Sequence, residues 1–341
     1  MKSFAIFAAR RIVLMIVSLY VLISLTFLLV ALAPVDPARV LDGPYATRAQ
    51  LAATRHQLGL DKPLLTRYFD FINNLIHGNL GKSIYSDATI TSQLAKYLPS
   101  TAELVVLAVA VAVMVGLALG VVSAYWHRRW PDRVSSTAVG VLQSVPDFVL
   151  GVVLLYFLFY IARVLPGPTG QLAITTPIPP EHTGAALIDS ALAGDWQTFG
   201  DAVVHAVLPV LTLGLVISAL FARVGRAALR QAIESDQTKF ARACGLSELR
   251  VLHYALLSAR TPIMTYGAMV FALGFGGTAI VETIFNWNGA SQWAVQAMLR
   301  DDYPAVLGFV LVVGVITLTT YFVLDLAIAA LDPRIRASTR R

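Results

Sequence analysis

Across 341 residues the chain is 57% hydrophobic and only 13% charged, with a mean hydropathy of +0.70. Soluble domains carry roughly 45–50% apolar and about 25% charged residues, so the composition excludes one and requires a membrane protein. The single cysteine, Cys244, excludes an internal disulfide, and the net charge of +6 makes the placement of the cations informative.

Six segments are long enough, or nearly so, to cross ~30 Å of hydrocarbon as helix: 12–33, 102–124, 134–162, 207–222, 262–285 and 304–331. Pro209 and the short run make the fourth the least sharply bounded. Residues 1–11, 125–133, 223–261 and 332–341 together hold seventeen Lys and Arg, against nine spread over 34–101, 163–206 and 286–303. Basic flanks stay on the cytoplasmic side, which predicts cytoplasmic termini. Topology then accounts for the basic surplus without nucleic acid.

In chain order, "ARRIVLMIVSLYVLISLTFLLVALAP" resembles a secretory signal, but its 22-residue apolar run exceeds the roughly 7–15 of a cleavable signal. It reads as an uncleaved first span. The external region 34–101 holds Thr47 and Gln50 in capping-box spacing, which predicts a short helix. "HGNLGKS" invites a phosphate-loop reading, but that motif needs a glycine five residues before Gly81, where Ile76 stands. Ser100 and Glu103 form a second capping box expected to open span two, with Glu103 read as a cap rather than a substrate ligand. Gly116 and Gly120 are a small-xxx-small packing pair, and "LGFGG" at Leu273–Gly277 is also read as packing. The second excursion, 163–206, opens as a Pro/Gly-rich loop. It is expected to close as an interfacial helix over "AALIDSALAGDWQTFGDAVVHA" that leads into span four.

The six histidines are scattered without metal-ligand spacing, and no nucleophile–His–acid set can be assembled. No catalytic residue, metal site or bound cofactor is therefore expected. Three acids do sit in or beside spans. A carboxylate facing lipid is costly, and such groups usually face a bundle interior or a water-filled path. Asp147, just after Pro146, is balanced between lining a path and a structural role; Glu282 lies near the outer end of span five, where a gate would sit. Asp325 is read as structural, pairing with a neighbouring helix or with Arg334.

Between spans four and five runs "DQTKFARACGLSELRVL", Asp236 to Leu252, too polar for the bilayer. Phe240, Ala243, Cys244, Leu249 and Leu252 give one apolar face, with Lys239, Arg242 and Arg250 elsewhere. A helix stopped at Gly245 and restarted at Ser247–Glu248 is helix–turn–helix chemistry. A bent amphipathic element of this kind suits a hydrophobic groove in a soluble partner; the alternative is a solvated basic loop on anionic lipid.

This stretch resembles the EAA-type cytoplasmic loop of permease subunits in binding-protein-dependent ABC importers of the dipeptide/oligopeptide/nickel group. Asp236, Ala241, Arg242, Ala243, Gly245 and Leu246 match in register, while Cys244 stands where that group usually has Lys. "LAPVDPA", "LGLDKPLLTRYFDFINNLIHGNLGKSI", "HAVLPVLTLGL", "VETIFNWNG", "DDYPAVLG" and "LDPRIR" are similar to further group signatures and follow in order. The long external region points to the B-type permease. Two departures stand out. Asn288 and Ser291 replace the proline and second glycine of F-x-W-P-G-x-G, which is expected to loosen that turn, and the insertion around 170–200 is longer than usual.

The resemblance implies an all-α protein of the type I importer permease fold, with one transmembrane domain over about 70–331, in a bacterial inner membrane. It implies that Asp236, Phe240, Ala241, Arg242, Ala243, Cys244, Gly245 and Leu246 couple to ATPases. Asp147, Glu282, Phe285 and Trp287 are placed on the translocation path or gate. The implied partners are a C-type permease, two ABC ATPases that hold the ATP and Mg, an external substrate-binding lipoprotein, membrane lipid and a peptide substrate. Nickel chelates or another small solute are the alternative cargo. An ion-coupled secondary carrier, built on inverted repeats that are not visible here, and a lipid-binding structural or signalling protein are the alternative classes.

Overall fold

In hydrocarbon each backbone polar group must be satisfied within its own segment, so apolar runs of this length fold as helix. The computed structural model describes residues 2–32, 36–43, 45–86 and 88–331. It begins with α1 (Lys2–Ala31), followed by the short helices α2 (Pro37–Asp42), α3 (Arg48–Gln57) and α4 (Leu64–Ile76). The Thr47 hydroxyl accepts from the Gln50 N–H and the Gln50 side chain accepts from the Thr47 N–H, so the expected capping box opens α3. Arg55 of α3 reaches back 2.6 Å to Asp36, and this hydrogen bond holds the Asp36 carboxyl below its ordinary value.

The second long helix, α5 (Ile90–Tyr125), starts earlier than the expected span. Its cap is Thr89, whose hydroxyl accepts from the Ser92 N–H. Ser100 and Glu103 therefore lie inside the helix, and their capping box does not form. Burial of Ile90 and Leu94 against Ala290 fixes the extra turns, and Pro99 is carried within them. Glu103 is instead buried within the helix, and neither of its carboxylate oxygens has a hydrogen-bond partner among the described residues.

The expected single span 134–162 is a broken pair, α6 (Trp130–Ser144) and α7 (Asp147–Leu154, continued as π-helix over Leu155–Ile161), with a bend of 102°. Val145 before Pro146 is extended, as a residue preceding proline prefers to be. The expected interfacial helix is also divided. α8 (Ala186–Leu192) stops before Gly194, which has φ +68, and Asp195 then caps α9 (Trp196–Ile233) through Thr198. The 207–222 run is thus the middle of a 38-residue helix that carries Pro209 inside it. The chain continues through α10 (Asp236–Ala243), α11 (Glu248–Gly277), α12 (Ala279–Phe285), α13 (Ala290–Leu299) and α14 (Tyr303–Leu331).

Among the described residues α1, α5, α9, α11 and α14 are long and apolar enough to cross a membrane, and α6 with α7 makes a sixth span if counted as one. α5 and α9 run parallel in intimate contact. Gly214 faces Ala108 and Val111, while Leu229 packs with Ala124. A Cβ at Gly116 would lie 2.4 Å from the Phe221 Cβ, so only glycine permits this approach. The main core gathers Leu104, Leu208, Leu213, Val281, Phe285 and Trp287 from α5, α9 and the α12 turn. At the periphery, Phe27 of α1 packs on Tyr68 and Phe71 of α4, and Arg11 lies 2.6 Å from Asp325 of α14. Asp325 is thus paired with a neighbouring helix; Arg334 lies outside the described residues.

Candidate functional site

The residues expected to couple form an elbow at the C-terminal end of α9. Ser235 caps α10 by accepting from the Thr238 N–H, and the Thr238 hydroxyl donates to the Ala232 carbonyl at 2.6 Å. This ties α10 to the end of α9 across a two-residue turn. At the other end Cys244 is the C-cap, Gly245 takes φ +77, and the Leu246 N–H returns to the Ala241 carbonyl. A left-handed residue here closes the last turn of a helix, which is why glycine stands at this position. Ser247 and Glu248 then open α11 as the sequence predicts.

The elbow has two faces. Thr238 and Ala241 are buried against the bundle and Leu246 is half-buried. Asp236, Arg242, Ala243, Cys244 and Gly245 are exposed, with Phe240 at 72% and Leu249 at 82% exposure. The free Cys244 thiol lies on this outer face. Arg242 grips Glu248 through Nε and Nη2 at 3.0 and 3.2 Å, and this pairing raises the Arg242 pKa. The ion pair braces α10 against the first turn of α11. A rigid, braced element that turns an aromatic ring outward can act as a plug for an apolar groove.

The residues placed on the path divide. Glu282, Phe285 and Trp287 are brought together, but as a buried knot near the N-terminal end of α5. Glu282 is fully buried. Its Oε1 accepts from the Thr101 and Thr278 hydroxyls at 2.7 and 2.8 Å, and its Oε2 accepts from the Gln292 N–H at 2.8 Å. Trp287 donates from Nε1 to the Ser100 carbonyl at 2.9 Å, and Phe285 packs over Gly151 of α7. Asp147 stands apart, half-exposed at the start of α7, accepting from the Phe148 N–H.

The turn between α12 and α13 is also more firmly held than its sequence suggests. Asn286 and Asn288 both adopt left-handed backbone, φ +51 and +59. The Asn288 N–H donates to Gln292 Oε1 at 2.7 Å, and Gln292 Nε2 donates to Asn286 Oδ1. A proline at 288 has no N–H and a φ fixed near −65°. The asparagine therefore pins this turn by a bond proline could not make, which corrects the expectation of a looser turn. Ser291 likewise bridges, donating to the Phe275 carbonyl and sharing the Thr278 hydroxyl proton with Glu282.

Ser100, Thr101, Thr278 and Gln292 were not singled out from the sequence as site residues. Some of their partners are distant in sequence, with Thr101 181 positions from Glu282 and 189 from Ala290, although Thr278 is only four from Glu282. The phosphate-loop lookalike is spent on packing: the Ser83 hydroxyl donates to Asp302, next to α14, and Lys82 bridges to Thr89.

The family model described as "Binding-protein-dependent transport system inner membrane component" matches residues 116–337, and that family's N-terminal model matches residues 4–105. A probable D,D-dipeptide transport system permease of Escherichia coli (strain K12) is 35% identical over 312 residues, covering 91% of this chain and 92% of that protein. A di/tripeptide transport system permease of Pseudomonas aeruginosa (strain UCBPP-PA14) is 35% identical over 332 residues, 97% of this chain and 98% of that one. A glutathione transport system permease of Escherichia coli O6:H1 is 32% identical over 331 residues, again 97% and 98%.

Proposed function

Because the chain belongs to the family of binding-protein-dependent transport system inner membrane components, we propose that it is the permease of an ATP-driven importer of short peptides. Its helical bundle is the type I importer permease fold. The substrate class is supported by the relatives' names, since dipeptides, tripeptides and glutathione are all short peptides. A second, C-type permease completes the path, two ATPases bind ATP and Mg at the cytoplasmic face, and an external lipoprotein delivers the peptide. The distribution of Lys and Arg puts both termini and α10 on the cytoplasmic side.

The observation that carries the coupling role is Phe240, an aromatic ring left 72% exposed on an otherwise polar helix. It enters an apolar groove of an ATPase. Closure of the ATPase pair pushes α10, and the short turns on either side pass the load to α9 and α11. Asp147, half-exposed at the α6–α7 bend, lines the path. Glu282, Phe285 and Trp287 form the fixed wall behind the gate. The test is co-purification and ATP-dependent dipeptide uptake with Phe240→Asp. Truncated or reversed anchors at an interface centre cost about 2 kcal/mol or more. ATPase capture should therefore weaken about 30-fold and uptake should fall with it, at unchanged melting temperature. Full capture and uptake by the variant would refute the coupling role.

A further inference from the structure

Near the N-terminal end of α5 lies a cavity of about 540 Å³, within the ~300–1,000 Å³ typical of small-molecule sites. Its walls are the start of α5, the loop stretch 169–184 and the Asn286–Asn288 turn. The two places where the sequence departs from its group, the long insertion and Asn288, thus meet at one site.

The walls are fixed by hydrogen bonds. Gln171 Nε2 donates to the Ser100 hydroxyl at 2.8 Å and to the Trp287 carbonyl at 3.2 Å, while its Oε1 accepts from the Ala186 N–H at 2.9 Å. Asp189 clasps the end of the loop by accepting from Thr183, through both N–H and hydroxyl, and from the Gly184 N–H. Burial pushes the Asp189 carboxyl up, but these bonds outweigh it and hold the group below its ordinary 3.8. Asp201 of α9 anchors the loop's first half through Ala173 and Thr176, both at 2.8 Å. At Gly184 a Cβ would fall 2.7 Å from the Lys96 carbonyl, so the loop is seated directly on α5.

Onto this frame open two exposed, opposite charges, Lys96 and Glu181. Among the described residues neither makes an ion pair, with the other or with any third group. Tyr97 and Ile174 supply apolar surface between polar walls, and Asn288 adds an amide. A cation and an anion that line one cavity without pairing match a molecule that carries both charges at its ends. We propose that this cavity binds a short zwitterionic peptide, its carboxylate on Lys96 and its amine on Glu181, as a waypoint outside the membrane path. The assignment rests on the peptide-import reading and adds a site within this chain.

The test is calorimetric titration of the purified importer, without its binding protein, using dialanine as probe. Lys96→Gln and Glu181→Gln should each weaken dialanine binding at least about tenfold, the loss expected of one charge-assisted contact. N-acetyl-dialanine should bind wild type and Glu181→Gln alike, and dialanine amide should bind wild type and Lys96→Gln alike. Absent dialanine binding, or variants that alter capture of the binding protein and leave dialanine binding intact, would overturn the site. Uptake by the complete importer, measured alongside, separates the two claims. Normal peptide uptake without direct dialanine binding removes the site and leaves the import function standing. No uptake of dialanine or trialanine by wild type removes the import reading and the inference with it.

Discussion

The buried knot around Glu282 and the exposed elbow at α10 use the same kinds of residue to opposite ends. Each holds an acid, hydroxyls and an aromatic ring. In the knot every one of these turns inward: Glu282 takes three hydrogen bonds, and Phe285 and Trp287 are packed away. In the elbow the hydroxyl of Thr238 turns inward, while Phe240 and Asp236 face out. A polar group satisfied within its own chain is committed to structure. An apolar ring left outside on a braced helix is available to a partner. Orientation, more than residue type, separates scaffold from interface here.

The contrast can be broken most forcefully at Glu282. Glu282→Ala strands the Thr101 hydroxyl and the Gln292 N–H, leaves Thr278 only Ser291 as acceptor, and should cost about 3 kcal/mol. The readout is a lowered melting temperature of the purified permease complex. If stability held and only transport fell, Glu282 would belong to the path after all. Next comes Asn288→Pro, which restores the group's proline but removes the bond to Gln292 and forbids φ +59. A loss of about 2 kcal/mol is expected, again by thermal melting; a stabilised variant would show that the turn can adopt the proline-type backbone.

The loop clasp offers a pH test. Because the folded Asp189 carboxyl sits below its ordinary value, its contribution is complete above that value and is lost only as pH falls through the depressed one. Pepsin cleavage of the 169–184 loop, normalised to an unfolded substrate at each pH, should thus stay slow near about pH 5 and rise steeply toward about pH 2. Asp189→Asn should flatten that profile; an unchanged profile would relieve Asp189 of the role. The smallest effect is at the elbow's brace. Arg242→Ala should cost about 0.5 kcal/mol, as exposed pairs do, yet reduce coupling if the brace transmits force. Uptake per ATP hydrolysed is the measure that would tell.

The elbow was legible because its determinants are local: Gly245, Ser247 and Glu248 lie within four positions and dictate a stop and a restart. The knot was not, because Glu282 reveals its role only with Thr101, from another helix, in place. Local spacing also misled. Ser100 and Glu103 have capping-box spacing, but burial of Ile90 and Leu94 extends the helix past them. Pro146 sits within the expected single span 134–162, and the structure breaks that span there by 102°. Replacement of proline by Asn288 read as a loss of rigidity, since the left-handed backbone and the Gln292 bond appear only in three dimensions.

The contact between Arg11 and Asp325 also sets an order of events during synthesis. The ribosome makes α1 long before α14, so the arginine is inserted well ahead of its carboxylate partner. Every helix from α2 to α13 must be made before the two charges can meet. The pair therefore marks a late step of assembly: a chain that stops before α14 leaves the guanidinium without this carboxylate, and α1 without one of its anchors to the bundle.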